Sequence, residues 1–403
     1  MPPFRLLHAA GLDPEAFLPE PPPGLNEIFA AAPLAAIERL VTRAIELQVD
    51  CLLVTPAVPI AGLPDGPGLS READLRQQFG RLTDEGIPLL IAAGARGTGW
   101  ERFADRNSKI VVLSPGSFAP LTDRHGSPSA VLRCVEQPTL ANRPLPSGAN
   151  DTLELAVVPR LSADALRDVS MLRHDYLALG AGPRATAALA AGHAHCPGPL
   201  QAVGPSETGA HGATLVTIDE GGVTTGFVPT ATVRFESVSV QSEAADQLDD
   251  LAVRMTEHLE EFHSEPGEQA WVVCWRIEAT GALFDLLDAP HGRAEAAGLL
   301  PETVGGVPVF HKLTVVPHPL WPALNDPLAA EFAAALQEQS ESLTDPSQRL
   351  ALLALPDNVP RRSRLARLIA AAEPAAVLGD ARRFGLRLAT AATAGDTDDC
   401  PLP

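Results

Sequence analysis

The most chemically pointed stretch of this 403-residue chain is Gly192-His193-Ala194-His195-Cys196. Two histidines two apart on a strand face the same way, and with a third donor they could bind a metal ion. The commoner role for such a pair is as surface or partly buried strand histidines. Near the N-terminus, His8, Asp13 and Glu15 add an imidazole and two carboxylates. Asp13 is a candidate ligand, but the commoner role for such a residue is as a loop or helix-capping acid before Pro14 and Glu15. In the loop Gly94-Ala95-Arg96-Gly97, Arg96 could hold a phosphate or an acidic partner group; otherwise it is solvated or paired with an acid such as Asp13. The familiar signatures of phosphate-binding loops, dinucleotide folds, serine hydrolases and zinc proteases do not occur in a supporting context.

Composition narrows the classes. At about 150 residues per domain, the length suggests two or three domains, each able to bury its own core. Thirty basic against fifty acidic side chains leave a formal charge of -20. Such a surface repels phosphate backbones, so nonspecific nucleic-acid affinity is expected to be poor unless basic residues cluster locally. Cys51, Cys134, Cys196, Cys274 and Cys400 are odd in number and widely separated. That pattern argues against a zinc ribbon or a disulfide framework. The first residues lack the charged start and apolar core of a signal peptide, and no apolar run is long enough to span a bilayer. The expectation is a soluble cytoplasmic protein with no membrane contact.

The elements that must position these residues alternate. Phe4–His8 opens as a strand, and residues 35–48 carry apolar side chains at helical spacing. Residues 50–55 read as a buried strand stopped by Pro56 and Pro59. Ser70 is placed to cap a second helix that Gly86 ends, and residues 87–97 form a strand running into a glycine turn. This β-α-β-α-β order predicts right-handed crossovers and a mainly parallel sheet, with ligands expected past the carboxyl ends of its strands. Further strands are expected at 109–113, 130–135, 153–158, 176–179 and 213–218. Beyond about residue 230 the pattern changes: a strand at 233–240, one long helix over 242–263, and strands at 269–279 and 307–316. Trp271 and Trp275 alternate on one strand face and read as sheet core rather than a base-stacking platform. Asp326 with Pro327 starts a helical remainder. The expected domains are 1–230, 231–320 and 321–390, with a disordered tail over 391–403.

Several phrases, in order, resemble the calcineurin-like metallophosphoesterases, and more narrowly the bacterial DNA double-strand-break repair exonucleases that pair with an SMC-like ATPase. They are Leu7-His8-Ala9-Ala10-Gly11-Leu12-Asp13, Val49-Asp50-Cys51-Leu52-Leu53-Val54, Gly86-Ile87-Pro88, Asp175-Tyr176-Leu177-Ala178-Leu179-Gly180 and Glu207-Thr208-Gly209-Ala210-His211-Gly212. The resemblance covers residues 4–240 well and the rest loosely. It implies an α/β fold: a four-layer β-sandwich flanked by helices, then a smaller α+β cap and a helical C-terminus. It also implies a two-ion site of manganese or magnesium, held by Asp, His and Asn side chains.

At the positions that resemblance assigns to ligands, this chain carries other residues. The first aspartate falls on Gly11 and the next histidine on Asp13. The bridging aspartate falls on Ala57, the Asn-His pair on Ala95 and Arg96, the later histidine on Pro159, and the final histidine pair on Ala181 and Pro183. A hard divalent ion needs carboxylate, imidazole or amide donors, and only Asp13 offers one. Arg96 cannot replace a histidine as general acid, because guanidinium keeps its proton near neutral pH. A gapless count places His193 and His195 on the strand before the Pro197-Gly198 turn, away from the family's histidine pair. Asp50 and Asp175 occupy framework positions and are expected to serve structural hydrogen bonding rather than catalysis.

The expectation is therefore a catalytically silent relative with no bound cofactor, serving as a scaffold or as a subunit that binds an ATPase or DNA ends, and forming a homodimer. In the resembled family, helices beyond the cap dock on the ATPase. Here Arg361, Arg362, Arg364 and Arg367, then Arg382, Arg383 and Arg387, are the one basic concentration, and they fit either such docking or DNA binding, or else solvated helix faces. Two alternatives stay open. One is an active metal-dependent phosphoesterase with a site rebuilt from His8, Asp13, Glu15 or the His193–His195 pair, or completed by a partner. The other is a binding module unrelated to DNA.

Overall fold

The computed structural model describes residues 3–16, 18, 21–56, 71–92, 100–105, 107–135, 153–158, 174–180, 182–189, 192–220, 222–243 and 245–317. Ala57, Ala95, Arg96, Pro159, Ala181 and the C-terminal arginines lie outside them, as do the expected C-terminal helices and tail.

The chain begins with β1 (Phe4–Ala10). Its alternation splits the side chains: Leu7 and Ala9 face helices, while Phe4 and Leu6 face a second sheet. Helix α1 (Asn26–Glu46) follows. It starts well before the expected residue 35 and runs through Pro33. Proline in a helix interior costs about 3 kcal/mol, which is why the sequence reads as if the helix began after it. Here Phe29, Ala32, Pro33, Ala36, Ile37 and Leu40 form one unbroken buried stripe, and that burial offsets the cost.

Then come β2 (Cys51–Thr55), α2 (Glu72–Asp84), β3 (Leu89–Ala92), a short α3 (Glu101–Ala104) and β4 (Ile110–Leu113). Next are β5 (Phe118–Thr122), β6 (Pro128–Cys134), β7 (Leu153–Val158), β8 (Tyr176–Leu179), β9 (Ala185–Ala188), β10 (His193–Cys196), β11 (Gly212–Asp219) and β12 (Gly222–Pro229).

They form two six-stranded sheets, ordered β12-β11-β1-β2-β3-β4 and β5-β6-β7-β8-β10-β9. Each is parallel in the middle. Each carries antiparallel strands at an edge. The mainly parallel expectation thus describes the centres, while β5, β9 and β12 are edge strands that it missed. In β12 the polar and glycine residues of Gly222-Val223-Thr224-Thr225-Gly226 blur any apolar alternation, while β5 carries Pro120 and β9 only small side chains. Helices α1 and α2 cover one face of the first sheet through Leu40, Leu52, Leu82 and Leu89. Its other face packs on the second sheet through Leu6, Leu53, Leu132 and Tyr176. The architecture is mixed α/β.

Beyond β12 lie β13 (Val233–Gln241), α4 (Leu248–Glu260), β14 (Ala270–Ala279), α5 (Gly281–Asp288), α6 (Pro290–Gly298), β15 (Thr303–Val304) and β16 (Val307–Pro317). The third sheet is ordered β13-β14-β16-β15. Helix α4 is shorter than the expected 242–263. A capping box of Gln247 with Asp250 sets its start, and the Asp246 carboxylate accepts the Glu243 N–H in the turn before it. Trp271 and Trp275 are fully buried in β14, as their alternation implied. The chain divides into two compact units. One comprises Met1–Ser237, Phe262–Cys274 and Glu302–His311, and the other Val238–Glu261, Trp275–Pro301 and the chain from Lys312. Among the described residues, no helix is long and apolar enough to cross a membrane.

Candidate functional site

Strand alternation that sends Phe4 and Leu6 between the two sheets sends His8 there too. The same parity turns Thr55 of β2 and Thr214 of β11 inward from the first sheet. Tyr176, His193 and His195 turn inward from the second. The result is a polar seam at the ends of otherwise apolar strands.

His8 is fully buried; its Nδ1 lies 2.7 Å from the Tyr176 hydroxyl and its Nε2 3.2 Å from the Thr55 hydroxyl. The Thr55 hydroxyl is also within reach of the Ala9 and Leu179 carbonyls, at 3.2 and 3.4 Å. Carbonyls only accept, so Thr55 donates to one of them and accepts from His8 Nε2–H. Nδ1 then accepts the Tyr176 O–H. Burial, and next the neighbouring His195, hold the His8 imidazole well below its usual pKa. Burial drives the Tyr176 phenol well up, so its proton stays in place.

His195 forms the second bridge. Its Nδ1 meets the Thr186 hydroxyl and its Nε2 the Thr214 hydroxyl, each at 2.7 Å. Burial, then Arg184 and His193, lower its pKa to about 4. The two rings lie 6.4 Å apart, and both are neutral at neutral pH. His193 shares this face as the two-residue spacing requires, and its buried Nδ1 has no hydrogen-bond partner among the described residues. Burial pushes the Cys134 thiol up to about 12 and raises Cys51 and Cys196 as well, which keeps these thiols protonated at neutral pH.

Beside the seam, past the carboxyl end of β1, an open cavity of about 790 Å³ gathers three of the positions that the resemblance singled out, Gly11, Asp13 and Pro183. Gly11 takes a φ of 70° and donates its N–H to the Thr55 carbonyl at 2.9 Å, a left-handed turn that glycine adopts without strain. Asp13 is exposed and accepts the Glu15 N–H at 3.1 Å, the loop-acid arrangement. The cavity also takes in Arg184, Glu207 and His211. Arg184 lays its guanidinium over the Phe227 ring, 4.3 Å from the centroid. Glu207 accepts the Val203 N–H at 2.8 Å, and His211 Nε2 donates to the Glu207 carbonyl at 3.3 Å. Burial lowers the His211 pKa, against the opposing pull of Glu207 and the Pro199 carbonyl. This arrangement can hold charged groups; its imidazole is occupied as a donor.

Of the remaining candidates, Glu15 lines a separate recess with Phe29 and Arg71. Asp50 and Asp175 bond backbone, the first accepting the Arg5 and Arg124 N–H groups and the second the Glu154 N–H. Among the described residues, no three His, Cys, Asp or Glu side chains stand together as a metal-binding group. Sequence reasoning did not single out Tyr176, Thr55, Thr186 and Thr214 as partners of the histidines, although strand parity pointed three of them inward. For Arg184 there was no signal, because the loops that carry it to the cavity meet only in the fold.

No family model matches the chain, and no curated protein matches it. Matches among solved structures cover just over half of it. The crystal structure of TT1561 from Thermus thermophilus is 11% identical with a TM-score of 0.34, covering 56% of this chain and 98% of that one. GAP50, the anchor in the inner membrane complex of Plasmodium, is 11% identical with a TM-score of 0.31, covering 57% of this chain and 85% of that one. Similarity of this degree assigns neither family nor activity.

Proposed function

We propose that this chain is a phosphoesterase-type protein, akin to the DNA double-strand-break repair exonucleases, that works as a binding subunit rather than as a two-metal hydrolase. The supporting observation is the donor set at the carboxyl ends of the central strands. Of the resemblance-assigned ligand positions, Gly11 and Pro183 line the cavity without a donor side chain, and Asp13 alone brings a carboxylate. Of the imidazoles close by, His211 lines the cavity with its Nε2 donating to the Glu207 carbonyl, while His8 and His195 each engage both ring nitrogens in hydrogen bonds to hydroxyls. Two divalent ions need several free hard donors converging on them, and these residues do not fit such a pair. What the fold then offers is a surface. The resemblance points to an SMC-like ATPase, DNA ends or a second copy as its occupant, with Arg361, Arg362, Arg364 and Arg367 as the docking residues.

The test is manganese-dependent cleavage of a generic phosphodiester by the full chain. The expected rate equals that of the metal-free control. Cleavage abolished by Asp13→Ala, or by alanine at His193 and His195, would establish the active-enzyme reading instead. The charge of -20 favours a further alternative, a partner other than DNA. Titration with duplex DNA at low salt separates the two: tight, salt-sensitive binding supports the DNA-end role, and no binding supports the other.

A further inference from the structure

The cavity past β1 carries formal charges of both signs that do not pair with each other. Arg184, Asp13 and Glu207 all line it. Among the described residues, none of the three makes an ion pair. Arg184 rests on the Phe227 ring, while the two carboxylates accept the Glu15 and Val203 N–H groups of their own loops. The Arg184 backbone lies close against the Gly198 turn: a methyl added at Gly198 would be 3.1 Å from its nitrogen. Apolar side chains, Ile37 and Leu200 among them, also line it. A volume of about 790 Å³ is within the range of small-molecule sites and well beyond a single amino acid.

We propose that this cavity binds a short zwitterionic peptide, its carboxylate on Arg184, its ammonium between Asp13 and Glu207, and its side chains against Ile37 and Leu200. Arginine matches a carboxylate with parallel N–H donors. Two carboxylates with lone pairs to spare suit an ammonium, whose three donors need several acceptors. A ligand of one sign would satisfy one set of these charges and face repulsion or an unpaired charge from the other. The inference goes beyond the binding-subunit reading and does not rest on it, since it requires neither a metal nor a macromolecular partner.

The experiment is calorimetric titration of the full chain with Ala-Leu-Ala, its N-acetyl form and its C-terminal amide. The free tripeptide is expected to bind, and each blocked form to bind about tenfold more weakly, the weight of one charge-assisted hydrogen bond. Arg184→Gln should erase the discrimination against the amide while leaving that against the acetyl form; Arg184→Lys should restore part of it. Glu207→Gln with Asp13→Asn should do the reverse. Because blocked peptides test the native protein, the result does not depend on any variant folding. Failure of all three peptides to bind, equal binding by all three, or discrimination untouched by Arg184→Gln would each overturn the proposal.

Discussion

A buried imidazole with both nitrogens on neighbouring hydroxyls takes a further proton only at the cost of desolvating the charge and turning the hydroxyl that donates to it into an acceptor. His195 is in that position, between Thr186 and Thr214, and its pKa falls from 6.5 to about 4. In that interval the unfolded chain takes up a proton that the folded chain refuses. The seam's contribution is therefore complete above pH 6.5 and is lost as the pH falls through 4. The shift corresponds to about 3 kcal/mol. Urea unfolding of His195→Gln is expected to show that much less acid sensitivity over this range than the parent chain. Some slope should remain, because His8 is shifted in the same direction. Parallel pH profiles would show that His195 is not the group responsible. At this scale the sequence was half legible. Alternation after Phe4 and Leu6 points His8 inward, but the Tyr176 hydroxyl that meets it comes from another sheet, and no local pattern encodes that meeting.

At the scale of elements, β8 and β10 approach each other closely where β10 begins. A methyl added at Gly192 would sit 1.9 Å from the Asp175 carbonyl oxygen, a backbone atom that cannot swing aside. Gly192→Ala should cost about 1–3 kcal/mol in urea unfolding, the usual range for overpacking, and should disturb the His195 bridge just beyond. A wild-type midpoint would mean that the strands are not so tightly apposed. A second fixed point lies at the start of β13. Arg234 and Glu236 are both buried, with Nε 2.6 Å from the carboxylate, and the guanidinium stacks 4.5 Å from the Trp271 ring centre. Glu268, whose carboxyl burial pushes upward, lies 3.7 Å from the same guanidinium. Arg234→Met strands two buried acids and should cost about 3–5 kcal/mol, and Glu236→Gln added to it should recover part of the loss. Central strands and amphipathic helices were legible because burial on one or both faces writes a period into the sequence. Edge strand β12 and the first turns of α1 were not, the first because it is largely exposed, the second because Pro33 reads as a stop.

Across the whole molecule, the sequence conveyed fold class better than purpose. The two central parallel sets follow from apolar runs, separated in the first sheet by helical stripes, and those runs are plain in the residue order alone. Where their loops converge is not, and the cavity that joins Gly11 and Asp13 to Arg184 is a product of that convergence. The central chemical claim is that a site whose assigned positions offer a single carboxylate does not hold a pair of divalent ions. Equilibrium dialysis of the full chain against manganese, with bound metal counted per chain, tests it most directly. The account predicts no more metal than an Asp13→Ala variant retains. Two equivalents bound to the parent chain and lost from Asp13→Ala would contradict it.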